Sequence, residues 1–219
     1  MKDVQPFIDL GFYIVPLNGV ITRNAKGKKI LPPFPKAWKE YYLDTPYNPQ
    51  NENKPVALTG AFITGKKSGA VSIDCDNEAT YDIVKALDPD YKFAFTSRDK
   101  PEGGASIVYA LNDRLASIEA FRVHKDDLQL DFQTDDLLQF LPTSGNKTKV
   151  EWSAENFEDL PELREPPSAI LLWLETMYEA HRKAKPLDNG KITVAAHDRY
   201  YKHLAPFIDQ FVKTEKFNN

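Results

Sequence analysis

The sequence predicts an α+β fold: a mixed or antiparallel sheet with flanking helices to about residue 160, then a helical tail or linker over 161–219. Three observations predict it. Six apolar runs of strand length lie between residues 57 and 142, and an obvious helical pattern separates only one pair of them. From Pro166 onward the period becomes helical, over 168–184 and again over 194–213. Hydrophobic residues make up 42% of the 219, enough to fill the core of one substantial domain plus a small appendage.

Residues 3–10 read as a short helix leading into the strand-like run FYIVPL (12–17). A basic stretch, 21–39, follows and holds Arg23, Lys26, Lys28, Lys29, Lys36 and Lys39 with no Asp or Glu. It reads either as a solvated loop or as a phosphate-contacting patch ending at Trp38, whose indole either packs in the core or stacks on a base. Residues 43–55 are polar and proline-bearing, an irregular connection.

The strand-like runs are ALTGAFITG (57–65), AVSIDCD (70–76), KFAFTS (92–97), ASIVYAL (105–111), LQLDF (128–132) and LLQFLP (137–142). Between the second and third, NEATYDIVKAL (77–87) aligns Ala79, Ile83, Ala86 and Leu87 on one helical face, with Asn77 as its cap. His124 reads as a surface loop residue. In the tail, Ile170, Leu171, Leu174, Met177 and Tyr178 form a packing stripe, and Trp152 and Trp173 are assigned to packing.

Composition excludes several classes. A net charge of -4 argues against a protein that coats nucleic acid over its whole surface, though not against one that grips a strand locally. The lone Cys75 rules out an intramolecular disulfide and a Cys-based zinc site. No apolar run approaches the roughly 20 residues of a bilayer span, and the acidic N-terminal segment does not resemble a secretory signal. The expectation is a soluble, cytoplasmic protein with no membrane partner.

The chemistry-bearing pattern is Val71-Ser72-Ile73-Asp74-Cys75-Asp76. Strand side chains alternate, so Val71, Ile73 and Cys75 share the core side, while Ser72, Asp74 and Asp76 share the other. Neighbouring carboxylates repel unless a cation or a proton lies between them. All-oxygen ligands favour Mg²⁺ or Mn²⁺. Leu128-Gln129-Leu130-Asp131-Phe132 repeats the alternation, so Asp131 would join the pair if the two strands are neighbours. On spacing alone, the alternative is a pair of solvent-facing strand residues without a metal.

The block Ile63-Thr64-Gly65-Lys66-Lys67-Ser68-Gly69 followed by Ala70 through Asn77 resembles a motif of the prim-pol branch of the archaeo-eukaryotic primase superfamily. Members are bifunctional DNA primase/polymerase domains of phages, plasmids and large DNA viruses. GFYIVPL (11–17) with Pro35 and Trp38 resembles the family's opening. Gly103-Gly104 before ASIVYAL resembles its second motif. Asp131, LLQFLP and Thr143-Ser144-Gly145 resemble its third. The likeness runs from Gly11 to Trp152. The family's second motif carries a phosphate-contacting histidine two residues after the paired glycines; here Ser106 stands at that position. A hydroxyl can hydrogen-bond a phosphate but brings no charge.

The resemblance implies a primase-like (RRM-like) catalytic core at 1–160. It implies template-directed nucleotidyl transfer with two Mg²⁺ or Mn²⁺ ions held by Asp74, Asp76 and Asp131. Ser106, Gly104, Arg98, Lys100, Lys66 and Lys67 would contact the nucleoside triphosphate, with His124 able to reach in from the side. Lys28, Lys29, Lys36 and Trp38 would contact a single-stranded DNA template. A replicative helicase is a further partner, and the host-cell cytoplasm the setting. No GxxxxGK[ST] motif occurs, so no helicase motor is expected within this sequence. The alternatives are a weakened relative that binds nucleotide or single-stranded DNA, and a metal-dependent nuclease.

Overall fold

The described strands form three antiparallel sheets, the two larger of which draw most of their strands from residues 60–140. The computed structural model describes residues 4–17, 22–25, 29–30, 38–50, 57, 59–91, 93–95, 104–125, 127–141 and 162–184. Its elements are α1 (Gln5–Asp9), β1 (Ile14–Pro16), β2 (Thr22–Arg23), β3 (Lys29–Ile30), α2 (Trp38–Tyr42), β4 (Gly60–Ile63), β5 (Ala70–Cys75), α3 (Glu78–Leu87), β6 (Ala94–Phe95), β7 (Ser106–Ala110), α4 (Asp113–Ala116), β8 (Phe121–Lys125), β9 (Leu128–Gln133), β10 (Leu138–Phe140) and α5 (Ser168–Ala184). The architecture is α+β. The chain divides into two compact units, Met1–Pro167 and Ser168–Asn219.

In the first unit the larger sheet has the order β6-β7-β5-β9-β8, every pair antiparallel. The chain leaves β5 through α3 and returns as β6, yet β7 lies between β5 and β6. This is a split β-α-β unit. The smaller sheet, β1-β4-β10, is also antiparallel.

Cross-strand partners share a face of a sheet, which sorts the side chains of the larger one. Val71, Ile73, Cys75, Ile107, Tyr109, Leu130, Phe132, Phe121 and Val123 fall on one face, all of them buried. The Tyr109 hydroxyl donates to Asp88, the residue that ends α3, so α3 lies on this apolar side. Asn77 caps α3 by accepting from the Thr80 N–H at 3.0 Å, as its position predicts. The buried side of α3 is Thr80 and Val84, with Ile83 and Leu87 half-buried. Ala79 and Ala86, expected inside, are exposed. Thr80 wins its place because its hydroxyl accepts from the Gln129 N–H at 2.8 Å, a pull toward the sheet that apolar counting ignores.

A second anchor closes the same side. Asp88 is 7% exposed and also accepts from Arg164 at 2.5 Å. The Tyr91 and Tyr109 rings stack at 4.5 Å, and Arg164 lies over Tyr91. Burial, then the nearby Asp88 charge, pushes the Tyr109 phenol above its ordinary value, so it stays a neutral donor.

Some expectations needed correction. The stretch 121–125, left without an element, is the edge strand β8. The basic stretch contains the paired strands β2 and β3, and Trp38 opens helix α2. Residues 113–116 form a short helix capped by Asn112. The helix expected at 194–213 lies outside the described residues.

In the second unit, α5 buries Ile170, Leu171, Trp173, Leu174, Met177 and Ala180, while Tyr178 is half-buried. His181, Arg182 and Lys183 in its last turn suit the negative end of the helix dipole. No helix among the described residues is long and apolar enough to cross a membrane.

Gly104 is the tightest point beside the carboxylate strand. Its φ is +87°, and a Cβ there would collide with the Cys75 carbonyl oxygen and stand 3.0 Å from the Asn77 nitrogen. Gly104→Ala should therefore lower stability by about 2 kcal/mol or more, read as a fall in the urea midpoint with an unchanged slope.

Candidate active site

The opposite face of the larger sheet carries the polar residues. One row of direct cross-strand partners runs Phe95, Ser106, Asp74, Asp131, Arg122 over β6, β7, β5, β9 and β8. The neighbouring row brings Gln129 beside His124, and the Asp76 N–H donates to the Gln129 carbonyl at 2.8 Å. The structure thus brings Asp74, Asp76 and Asp131 together at one end of β5 and β9.

Two like charges at directly paired positions destabilise a sheet unless something offsets them. Asp131 is 9% exposed and takes most of the compensation. Arg122 donates to both of its oxygens, through Nε to Oδ1 at 2.7 Å and through Nη2 to Oδ2. His124 Nε2 lies 2.8 Å from the same Oδ1 and 3.4 Å from Asp76 Oδ2. The hydrogen bond to Asp131, then that residue's charge, raises the Arg122 guanidinium above its ordinary value, with smaller contributions from Asp76 and Asp74. One cation therefore feels all three carboxylates.

Asp74 is held differently. Ser106 Oγ donates to its Oδ1 at 2.8 Å. Gln139, reaching over from β10 of the smaller sheet, sets the direction of that bond. Its Nε2 donates to Ser106 Oγ at 3.0 Å, and its Oε1 accepts from Ser72 Oγ at 2.9 Å. With Ser106 already accepting from an amide, its own proton is directed to Asp74. Ser72, Ser106 and Gln139 are all buried. The carboxylate face is buried at Ser72, where Gln139 reaches across, and half-buried at Asp74 and Asp76.

The other residues singled out from sequence divide into four groups. Lys66 and Lys67 precede β5, at the opposite end of that strand from Asp74. Lys66 is exposed, and Lys67 pairs with Asp44 at 3.5 Å. Trp38 is half-buried at the start of α2, with Lys39 Nζ 5.6 Å from its ring centroid. Arg98, Lys100, Lys28, Lys36, Gly103 and Trp152 lie outside the described residues, as does the side chain of Lys29. Gly104 is at the mouth of β7, where its backbone runs against Cys75 and Asn77.

Two site residues, Arg122 and Gln139, escaped the sequence reading, and a third, His124, was only loosely placed by it. His124, read as a surface loop residue that the family resemblance lets reach in from the side, is exposed but stands on β8 against two carboxylates. Arg122 is its neighbour on the same face, and Gln139 comes from another sheet. The signal for His124 and Arg122 was present: FRVHK alternates as LQLDF does, and the two runs flank a short polar turn. Nothing local marks Gln139.

Asp76, His124 and Asp131 each offer a ligand atom, all within 4.8 Å of one another, a donor set that could hold a metal ion. No protein-family model matches the chain, and no curated protein matches it.

Gln139→Leu keeps the bulk but strips the amide from two buried hydroxyls. We expect a loss of about 2–3 kcal/mol in chemical denaturation, well beyond the effect of an exposed Gln→Leu change.

Proposed function

We propose that this chain is the catalytic domain of a DNA primase/polymerase of the prim-pol type, joining nucleotides on a single-stranded DNA template. The observation that carries the reading is the direct pairing of Asp74 with Asp131 on adjacent strands, with Asp76 two residues along on the same face. The topology supports it as well. The chain order is β5-α3-β6-β7-α4-β8-β9 and the strand order β6-β7-β5-β9-β8; with β8 taken as an added hairpin partner of β9, this is compatible with the β-α-β-β-α-β plan of an RRM-like core.

Mg²⁺ or Mn²⁺ bound at Asp74, Asp76 and Asp131 would supply the lowered pKa of a 3′-hydroxyl and the neutralisation of a triphosphate. The chain's own residues do the positioning. Ser106, aligned by Gln139, holds one oxygen of Asp74 and so fixes that carboxylate's rotamer. Arg122 and His124 hold Asp131 toward the same space. The half-covered face limits water on the Ser72 side and leaves the strand ends for nucleotide and template. The setting would be the cytoplasm of the cell in which the DNA is copied, with a replicative helicase as a working partner.

One feature favours a second reading, a weakened relative that binds nucleotide or single-stranded DNA. Ser106 replaces the family's cationic histidine, and Arg122 already pairs with Asp131. Primer extension with labelled DNA, deoxynucleotides and Mn²⁺ or Mg²⁺ separates the two. The polymerase reading expects extension by the wild type and a fall of ~100-fold or more in Asp74→Ala and Asp131→Asn, since losing a ligand exceeds the about 10–100-fold typical of its outer partners. Nucleotide or single-stranded DNA binding without extension selects the weakened relative. Template degradation in the absence of nucleotides selects a nuclease.

A further inference from the structure

We propose that His124 is itself a metal ligand, completing with Asp76 and Asp131 a mixed nitrogen and oxygen site that prefers Mn²⁺ to Mg²⁺. This deepens the reading above and rests on it for the role of the carboxylates; it adds a donor and a metal class that the three-aspartate expectation does not contain.

The geometry around Nε2 carries the argument. The imidazole nitrogen faces Asp131 Oδ1 at 2.8 Å and Asp76 Oδ2 at 3.4 Å. A ring nitrogen has one proton or one lone pair, so it cannot satisfy two carboxylates by donation. The distance to Asp76 lies beyond the usual hydrogen-bond range. Both distances sit near the separation of adjacent ligands around one octahedral ion, about 3 Å when metal–ligand bonds are about 2.1 Å. The whole group fits within 4.8 Å, close to the span of such a shell. One cation between the three groups meets all of them at once.

The backbone reinforces the arrangement. His124 and Asp131 lie on paired strands of one hairpin, and Asp76 is tied to Gln129, the direct partner of His124. The His124 side chain is 38% exposed, against 22% for Asp76 and 12% for Asp131, so the solvent approach is over the imidazole. Arg122 is the competitor for Asp131. Its side chain is 68% exposed, so water is at hand to solvate the guanidinium when a cation takes its place on Asp131. Magnesium prefers oxygen donors, whereas an imidazole draws the site toward transition metals, of which Mn²⁺ also tolerates carboxylates.

The test is Mn²⁺ binding to the full chain without nucleotide or DNA. Pulsed electron paramagnetic resonance should detect coupling of a ring nitrogen to bound Mn²⁺ in the wild type and not in His124→Ala. Titration should show His124→Ala weakened about tenfold or more for Mn²⁺ and much less for Mg²⁺. Arg122→Ala, which removes the competing cation, should bind Mn²⁺ more tightly. Absence of nitrogen coupling in the wild type, equal Mn²⁺ affinity in His124→Ala, or weaker binding in Arg122→Ala overturns the proposal. The wild-type spectrum decides even if a variant folds poorly. Nitrogen coupling without primer extension would sink the polymerase reading and leave the ligand standing. Extension lost in Asp74→Ala, with no nitrogen coupling, would do the reverse.

Discussion

Asp74 and Asp131 face one another from adjacent strands, two like charges in direct register within a sheet that buries its other side. The arrangement around them follows from the need to offset that repulsion. On one flank Ser106 donates to Asp74; on the other Arg122 donates to both oxygens of Asp131, and His124 closes on it from the next row. The two acids are met by donors from two further strands, β7 and β8, and the β7 donor is itself set by Gln139 of β10.

The two faces of the sheet are finished by different means. The apolar face is closed by α3 and by the Asp88, Tyr109 and Arg164 cluster, where burial keeps the tyrosine neutral and donating. The polar face is closed only in part, by β10 and its Gln139. That amide links two buried hydroxyls in sequence and ends on Asp74. The smaller sheet therefore does more than add core: it reaches across and orders the first carboxylate. Asp131 is ordered independently, through its own hairpin. Two sheet systems thus converge on one short stretch of β5.

Arg122 is the counter-charge set against this pair. It donates to both oxygens of Asp131 while most of its own side chain is exposed, so one end of the ion pair is solvated and the other is buried.

Much of this was legible in the chain itself. The period-two alternation of AVSIDCD and LQLDF assigned Asp74, Asp76 and Asp131 to the face opposite Ile73 and Leu130, because side-chain alternation is a property of a single strand. Asn77 announced the start of α3 for the same local reason. Local pattern could not say which strands are neighbours. The register that sets Asp74 against both Ser106 and Asp131 arises from hydrogen bonds between segments tens of residues apart. The recruitment of Gln139 from a different sheet, the pairing of Arg122 and His124 with Asp131 from an edge strand, and the choice of Thr80 over Ala79 for the buried side of α3 were likewise decided in three dimensions. Each depends on a partner that no short window of sequence contains, and only folding brings those partners within reach.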